Sequence, residues 1–395
     1  RSPAFTRFYL GQALSYLGDG LRTIAIPLLV FQLTGSAVSL GVTFALEITP
    51  FALFSLIGGS LADRLERRTL MLGCDGIRFT IMLLFAIAFA NHVLSLPLLY
   101  TGVVLLAVCG AIFLGCQSPS IPYLLGKDGA KPAVAALFAT EQGVNLIAPP
   151  VGGAIFNLAG PLPALALNAL TYLTSQVSIA SVKDFGPDRP SGLPALAEIV
   201  ADIVGGWRFV MRDAALRTLT FAQLFMNAFA VIGFVAVIPY LKREFGASDQ
   251  LVGLTFGAIS VGTVIGSLVS GRTHWPFGKA LTAAFILDSL CWAPTIWTRS
   301  LPVAIAAMAT ASACGIYAVS SLVAWRMRII PEAMVGRVFG VVRLVVIIGM
   351  LPGSLAGGLI GDRFGTRTAM LVSSAGYAAI ALGLFTVKAL RDDRR

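Results

Sequence analysis

The chain has 395 residues, 57% of them hydrophobic and only 12% charged, with a mean hydropathy of +0.85. An ordinary soluble domain carries about 25% charged residues, so these proportions exclude the two or three soluble domains that length alone would suggest. The net charge of +10 is scattered through short loops rather than gathered in one stripe, which argues against nucleic acid as a partner and for basic loops facing anionic membrane lipid.

Twelve apolar runs follow one another, and most reach the roughly 20 helical residues that a hydrocarbon core requires. Span 1 (5–33) carries Gln12, Tyr16, Asp19 and Arg22; the last two are three apart and share a helix face. Span 2 (38–61) carries Glu47 and runs into Gly59-Ser60-Leu61-Ala62-Asp63-Arg64. Span 3 (69–90) sets Asp75 three residues before Arg78, a pair able to neutralise itself. Span 4 (96–118) contains no arginine. Span 5 (133–157) places Glu141, Gln142 and Asn145 at helical spacing ahead of Pro149-Pro150-Val151-Gly152-Gly153, and span 6 (162–183) follows.

The longest polar interruption comes next, from 184 to 217, opening on the breaker-rich Gly186-Pro187-Asp188-Arg189-Pro190. Leu196, Ile199, Ile203, Trp207 and Val210 then recur at helical spacing against Glu198, Asp202, Arg208 and Arg212, which predicts an amphipathic helix along the membrane interface. Span 7 (216–241) carries Gln223 and Asn227, and span 8 (249–271) ends in Gly266-Ser267-Leu268-Val269-Ser270-Gly271-Arg272. Span 9 (279–298) carries Asp288, span 10 (302–325) Tyr317, span 11 (336–360) Arg343, and span 12 (368–388) completes the set. The expected organisation is an N-terminal six-helix bundle (1–183), a linker with an amphipathic helix (184–215) and a C-terminal six-helix bundle (216–395).

Most of the 29 lysines and arginines fall in segments on one side of such a chain; Lys242, Arg243, Arg299, Arg363 and Arg367 are the few in loops on the other. That bias predicts a multi-pass protein of a bacterial cytoplasmic (inner) membrane with both termini cytoplasmic. No secretory signal precedes span 1, and the chain opens at Arg1 rather than methionine, so a few residues are expected to precede it. The five cysteines all lie in apolar runs and form no Cys-x-x-Cys pair, and both histidines, His92 and His274, lie in loops. Neither a disulfide framework nor a metal site is suggested, and no cofactor is expected. No Gly-x-x-x-x-Gly-Lys-Ser/Thr loop occurs, so transport powered by ATP on this chain is not expected.

Ionisable residues inside a bilayer cost at least about 2.5–3.5 kcal/mol each on insertion scales, so they pair or line a watery cavity. Asp19 and Glu47 each lie fourteen residues from the cytoplasmic end of their spans, about 21 Å at 1.5 Å per residue, and Arg22 lies about one turn further. The expectation is a membrane-embedded triad in which Arg22 stands between two carboxylates, one of which exchanges a proton, with Glu141 the next candidate. The alternative is a permanent ion pair that fixes spans 1 and 2 together.

The segment Gly59-x-x-x-Asp63-Arg64-x-x-Arg67-Arg68 resembles the loop motif of the major facilitator superfamily, departing from it at Glu66, where the family has glycine. The opening Leu10-Gly11-Gln12-Ala13-Leu14-Ser15-Tyr16-Leu17-Gly18-Asp19, and Gly206-Trp207-Arg208-Phe209-Val210 with Arg212-Asp213 near the middle, are similar to the branch of drug and siderophore exporters that includes macrolide efflux proteins. The resemblance implies an all-α membrane protein of twelve transmembrane helices in two pseudo-symmetric six-helix bundles, working by alternating access. It further implies a cytoplasmic gate of Gly59, Asp63, Arg64, Arg67 and Arg68, with Asp63 capping the start of span 11 near Arg337 and Arg343 serving the same gate. By the same analogy spans 3, 6, 9 and 12 are peripheral, so that Asp75, Arg78 and Asp288 read as structural. A second string, Gly358-x-x-x-Asp362-Arg363-x-Gly365-x-Arg367, reads as a polar turn on the outer side.

The chain is therefore expected to be a secondary transporter and not an enzyme: a monomeric exporter of amphipathic drugs, exchanging a small-molecule substrate for protons. Gln12, Tyr16, Asn145, Gln223, Asn227 and Tyr317 are the expected cavity lining. Export of a siderophore or handling of a lysophospholipid is the alternative, and a non-transporting membrane scaffold or sensor the remote one.

Overall fold

The computed structural model describes residues 2–182, 185, 196–273 and 275–385, with side chains described for all of these except 56–64, 127, 196–200, 202 and 385. Among the described residues every regular element is helical: α1 (Pro3–Thr34), α2 (Ala37–Arg64), α3 (Arg67–Ala90), α4 (Leu96–Ala159), α5 (Pro161–Ala180), α6 (Leu196–Arg212) and α7 (Ala214–Phe245), then α8 (Asp249–Arg272), α9 (Phe277–Trp292), α10 (Pro294–Trp297), α11 (Leu301–Ile329), α12 (Glu332–Arg363) and α13 (Thr366–Phe385). Among the described residues ten stretches are long and apolar enough to cross a membrane; with the second arm of α4 and α5, the helices are consistent with the twelve expected. Large apolar side chains such as Phe138, Leu158, Ile348 and Leu382 are exposed, as suits spanning helices that lipid rather than water surrounds.

Two elements differ from the sequence reading. Spans 4 and 5 were expected as separate runs with a polar loop between them, but α4 is helical across 119–132 except at Gly126. There φ is +75°, a backbone that glycine adopts without a Cβ clash, so one residue does the work of a loop. Span 9 is interrupted after Trp292, because Pro294 supplies no backbone N–H to continue the helix, and α10 follows.

The chain forms two compact units. One comprises Arg1–Thr34, Leu46–Pro194 and Ser248–Gly257; the other comprises Gly35–Ala45, Ala195–Ala247 and Ala258–Arg395. In the first, α1 and α3 pack against α4 and α5, around Phe8, Met71, Cys116 and Ile179. In the second, α7 packs against α12 and α13, and α9 against α11 and α13, around Leu281, Phe285, Ala318 and Leu322.

The stretch 186–190 lies outside the described residues, and α6 begins at Leu196 as the periodicity predicts. Its apolar face is not left to lipid. Val210 is buried and Ile203 partly so, both against Val338, Val341 and Val342 of α12, while Trp207 stays exposed beside Phe221.

The string around Asp362 is more than a polar turn. The Asp362 carboxylate accepts from Ser36 Oγ (2.6 Å) and from the backbone N–H groups of Ala37 and Val38 (2.9 Å each), capping α2. Arg243 donates to the same carboxylate at 2.7 Å and to the carbonyls of Gly35 and Gly361.

Candidate functional site

Each unit contains a cavity. That of the first unit is about 250 Å³ and is walled by α1, α2, α3 and both arms of α4. Gln12, Tyr16, Asp19 and Thr23 repeat every three or four residues and so present one face of α1 to it. Arg22 donates through Nη1 to Glu47 Oε1 at 2.9 Å, and its Nε stands 3.6 Å from Asp19 Oδ1. The arginine thus sits between the two carboxylates, with side-chain exposures of 14%, 33% and 31% for Arg22, Asp19 and Glu47.

A second layer of polar side chains holds this group in place. Tyr172 on α5 donates its hydroxyl to Asp19 Oδ1 at 2.5 Å. Gln117 Nε2 donates to Gln12 Oε1 (2.9 Å) and Tyr16 Oη (2.8 Å), and Gln12 donates onward to Ser175 Oγ at 3.1 Å. Asp75 and Arg78 pair at 3.5 Å, with the guanidinium also over the rings of Phe113 and Tyr172. Glu141 and Asn145 line the same cavity from the second arm of α4.

The cavity of the second unit is about 340 Å³ and mostly apolar. Phe44, Phe234, Trp292 and Tyr377 supply aromatic walls, while Asn227, Thr263, Ser312 and Asp288 are its polar members. Thr263 and Ser312 hydrogen-bond each other at 2.7 Å.

The expected lining residues are therefore distributed rather than gathered. Gln12, Tyr16 and Asn145 line the first cavity and Asn227 the second. Gln223 is buried and accepts from Arg326 Nη1 at 2.6 Å. Tyr317 lines a separate apolar hollow beside α8 and α9, where Thr273 donates to its hydroxyl.

Among the expected gate residues, Gly59, Asp63 and Arg64 lie on the α2 backbone but their side chains are outside the described residues. Arg67 donates to the Pro119 carbonyl at 3.1 Å and Arg68 to that of Ala180 at 2.8 Å. Arg337 and Arg343 are exposed on the first turns of α12, whose N-cap, Pro331, offers no side-chain bond.

Gln117, Tyr172 and Arg326 were not singled out by the sequence. The first two are polar residues inside apolar runs, a signal that was present. Arg326 lay one residue beyond the expected end of span 10, but α11 continues to Ile329 and leaves that residue 1% exposed.

The sequence matches the family described as transmembrane secretion effector over residues 1–393. It is 25% identical to the enterobactin exporter EntS of Escherichia coli O1:K1 / APEC over 98% of this chain and 91% of that protein. The same identity holds for the enterobactin exporter EntS of Shigella flexneri, over 98% and 90%. Among solved structures, a bacterial homologue of the iron transporter ferroportin in an inward-facing state superposes with a TM-score of 0.78, 15% identity and 99% coverage of both chains. A bacterial homologue of the human lysosomal transporter Spinster gives a TM-score of 0.74 at 15% identity, covering 99% of this chain and 98% of that one. The fold, the membrane helices and the match along essentially the whole chain agree: this protein belongs to the transmembrane secretion effector family of the major facilitator superfamily, and is a multi-pass membrane transporter.

Proposed function

We propose that the protein is a proton-driven exporter of amphipathic small molecules, and that the group Asp19–Arg22–Glu47 couples proton movement to the transport cycle. The observation that carries this reading is an arginine held between two partly exposed carboxylates in a polar cavity. Arginine keeps its charge throughout, so protonating either carboxylate removes one of its two partners and changes what the guanidinium must bind. A carboxylate that loses and regains this pairing gives the alternating-access equilibrium a reason to depend on pH.

The test uses protein reconstituted in liposomes with an imposed pH gradient and a panel of fluorescent amphipathic dyes. Asp19→Asn or Glu47→Gln should lose concentrative transport while keeping dye binding and a wild-type melting temperature. If both variants still concentrate dye with unchanged pH dependence, the group is structural and Glu141 becomes the next carboxylate to examine.

The likeness to the enterobactin exporter favours a second reading, export of a siderophore. The same liposomes offered enterobactin decide between the two, since a siderophore exporter should move it and ignore the dyes. The basic-residue bias supports both termini on the cytoplasmic side. Arg67→Cys and Arg363→Cys should then label with an impermeant reagent from opposite faces of the membrane.

A further inference from the structure

We propose that the cavity of the second unit is a binding site for lipophilic organic cations, amines or phosphonium ions, with Asp288 as its counter-charge. The inference rests on the exporter reading above and names the substrate class one of its cavities takes.

Asp288 is 2% exposed and lines this cavity; Trp292 supplies its carboxylate one hydrogen bond, and its Oδ1 has no partner. Its nearest ionisable neighbours are Cys291 on its own helix, Cys314 on α11 and Tyr377 on α13. Each of these is neutral or becomes negative, so none supplies a positive charge. From α7 the cavity receives apolar side chains and Asn227, and among the described residues no lysine, arginine or histidine lines it.

A buried carboxylate without a counter-charge is costly and takes up a proton unless a cation arrives, so a cation entering the cavity can take that proton's place. Here the other walls define what that something is. Trp292 and Tyr377 stand beside the carboxylate and Phe44 pairs with Phe234 across 5.2 Å. Aromatic faces attract cations and accept apolar substituents, whereas an anion would meet a like charge without water to screen it. Gly315 keeps the approach open: a Cβ there would stand 3.3 Å from Asp288 Oδ2. The volume of about 340 Å³ is within the range of small-molecule sites.

The probes are tetraphenylphosphonium and tetraphenylborate, alike in shape and opposite in charge, measured by equilibrium dialysis against the full chain purified in detergent. Wild-type protein should prefer the phosphonium by about tenfold or more, the scale of one desolvated charge-assisted contact. Asp288→Asn should lose that preference and Asp288→Glu should retain most of it. Gly315→Val, which fills the approach without altering charge, should also weaken phosphonium binding and decides the matter if Asp288→Asn does not fold. Equal binding of both probes by wild type, or phosphonium affinity unchanged by Asp288→Asn, overturns the site. A protein that exports dyes but fails these tests keeps the exporter reading and loses this site. One that passes them but moves nothing across a liposome keeps the site and loses the exporter reading.

Discussion

Asp75 and Asp288 stand on α3 and α9, the third membrane helix of each half of the chain, and their surroundings differ in one residue that matters. Three positions after Asp75 comes Arg78; three positions after Asp288 comes Cys291. In the first unit the acid is 0% exposed and paired, and its arginine is further held by two aromatic rings. In the second unit the acid is as deeply buried and takes a hydrogen bond from Trp292, but among the described residues no cation lines the cavity beside it. The lesson concerns what a buried charge is for. Asp75 is held by its own arginine, which also lines the first cavity, whereas Asp288 has no cation of its own and, on the proposal above, takes one from what enters.

Substitutions can break or sharpen this contrast. Arg78→Met turns Asp75 into a second unpaired acid and should destabilise the fold by about 3–5 kcal/mol, with much of the loss recovered in Asp75→Asn/Arg78→Met, as equilibrium unfolding in mixed micelles would report. Arg22→Met removes a more exposed partner and should cost less, about 1–3 kcal/mol by the same measurement, while abolishing gradient-driven transport. Gln117→Leu strands the Gln12 and Tyr16 groups that it bridges and should cost about 1–2 kcal/mol, again by unfolding. Asp288→Asn should have the smallest effect on stability, within about 0.5 kcal/mol of wild type or slightly stabilising, because it leaves no cation unpaired and Asn can still accept from Trp292. A large destabilisation there would mean that Asp288 has a structural partner and would erase the contrast.

Much of this was legible beforehand. Hydropathy and length pointed to a series of membrane helices, because lipid leaves the backbone few alternatives to a helix; among the described residues ten meet those criteria, consistent with the twelve expected. Depth counting brought Glu47 level with Asp19 and Arg22, since a helix converts residue number into distance at a constant rate. The continuity of α4 was harder to see, because lysine and aspartate around Gly126 look like a loop whether or not the backbone stays helical. The isolation of Asp288 was hidden for another reason. An acid in a span announces its own cost, but whether it is paired depends on α11 and α13, far away in sequence. The nearest clue was a cysteine at the position where α3 has an arginine.

The cap on α2 joins two interactions that respond differently to the surrounding medium. Ser36, Ala37 and Val38 hold the Asp362 carboxylate by direct contact at 2.6–2.9 Å, within which no counter-ion intervenes. Arg243 stands as close, at 2.7 Å, but it and Asp362 are 35% and 23% exposed, so dissolved ions compete for the charge of each, as they do at any exposed ion pair. Raising salt therefore weakens the arginine's pull while leaving the cap in place. The ionic strength of the medium thus tunes how firmly this corner of the second unit is held.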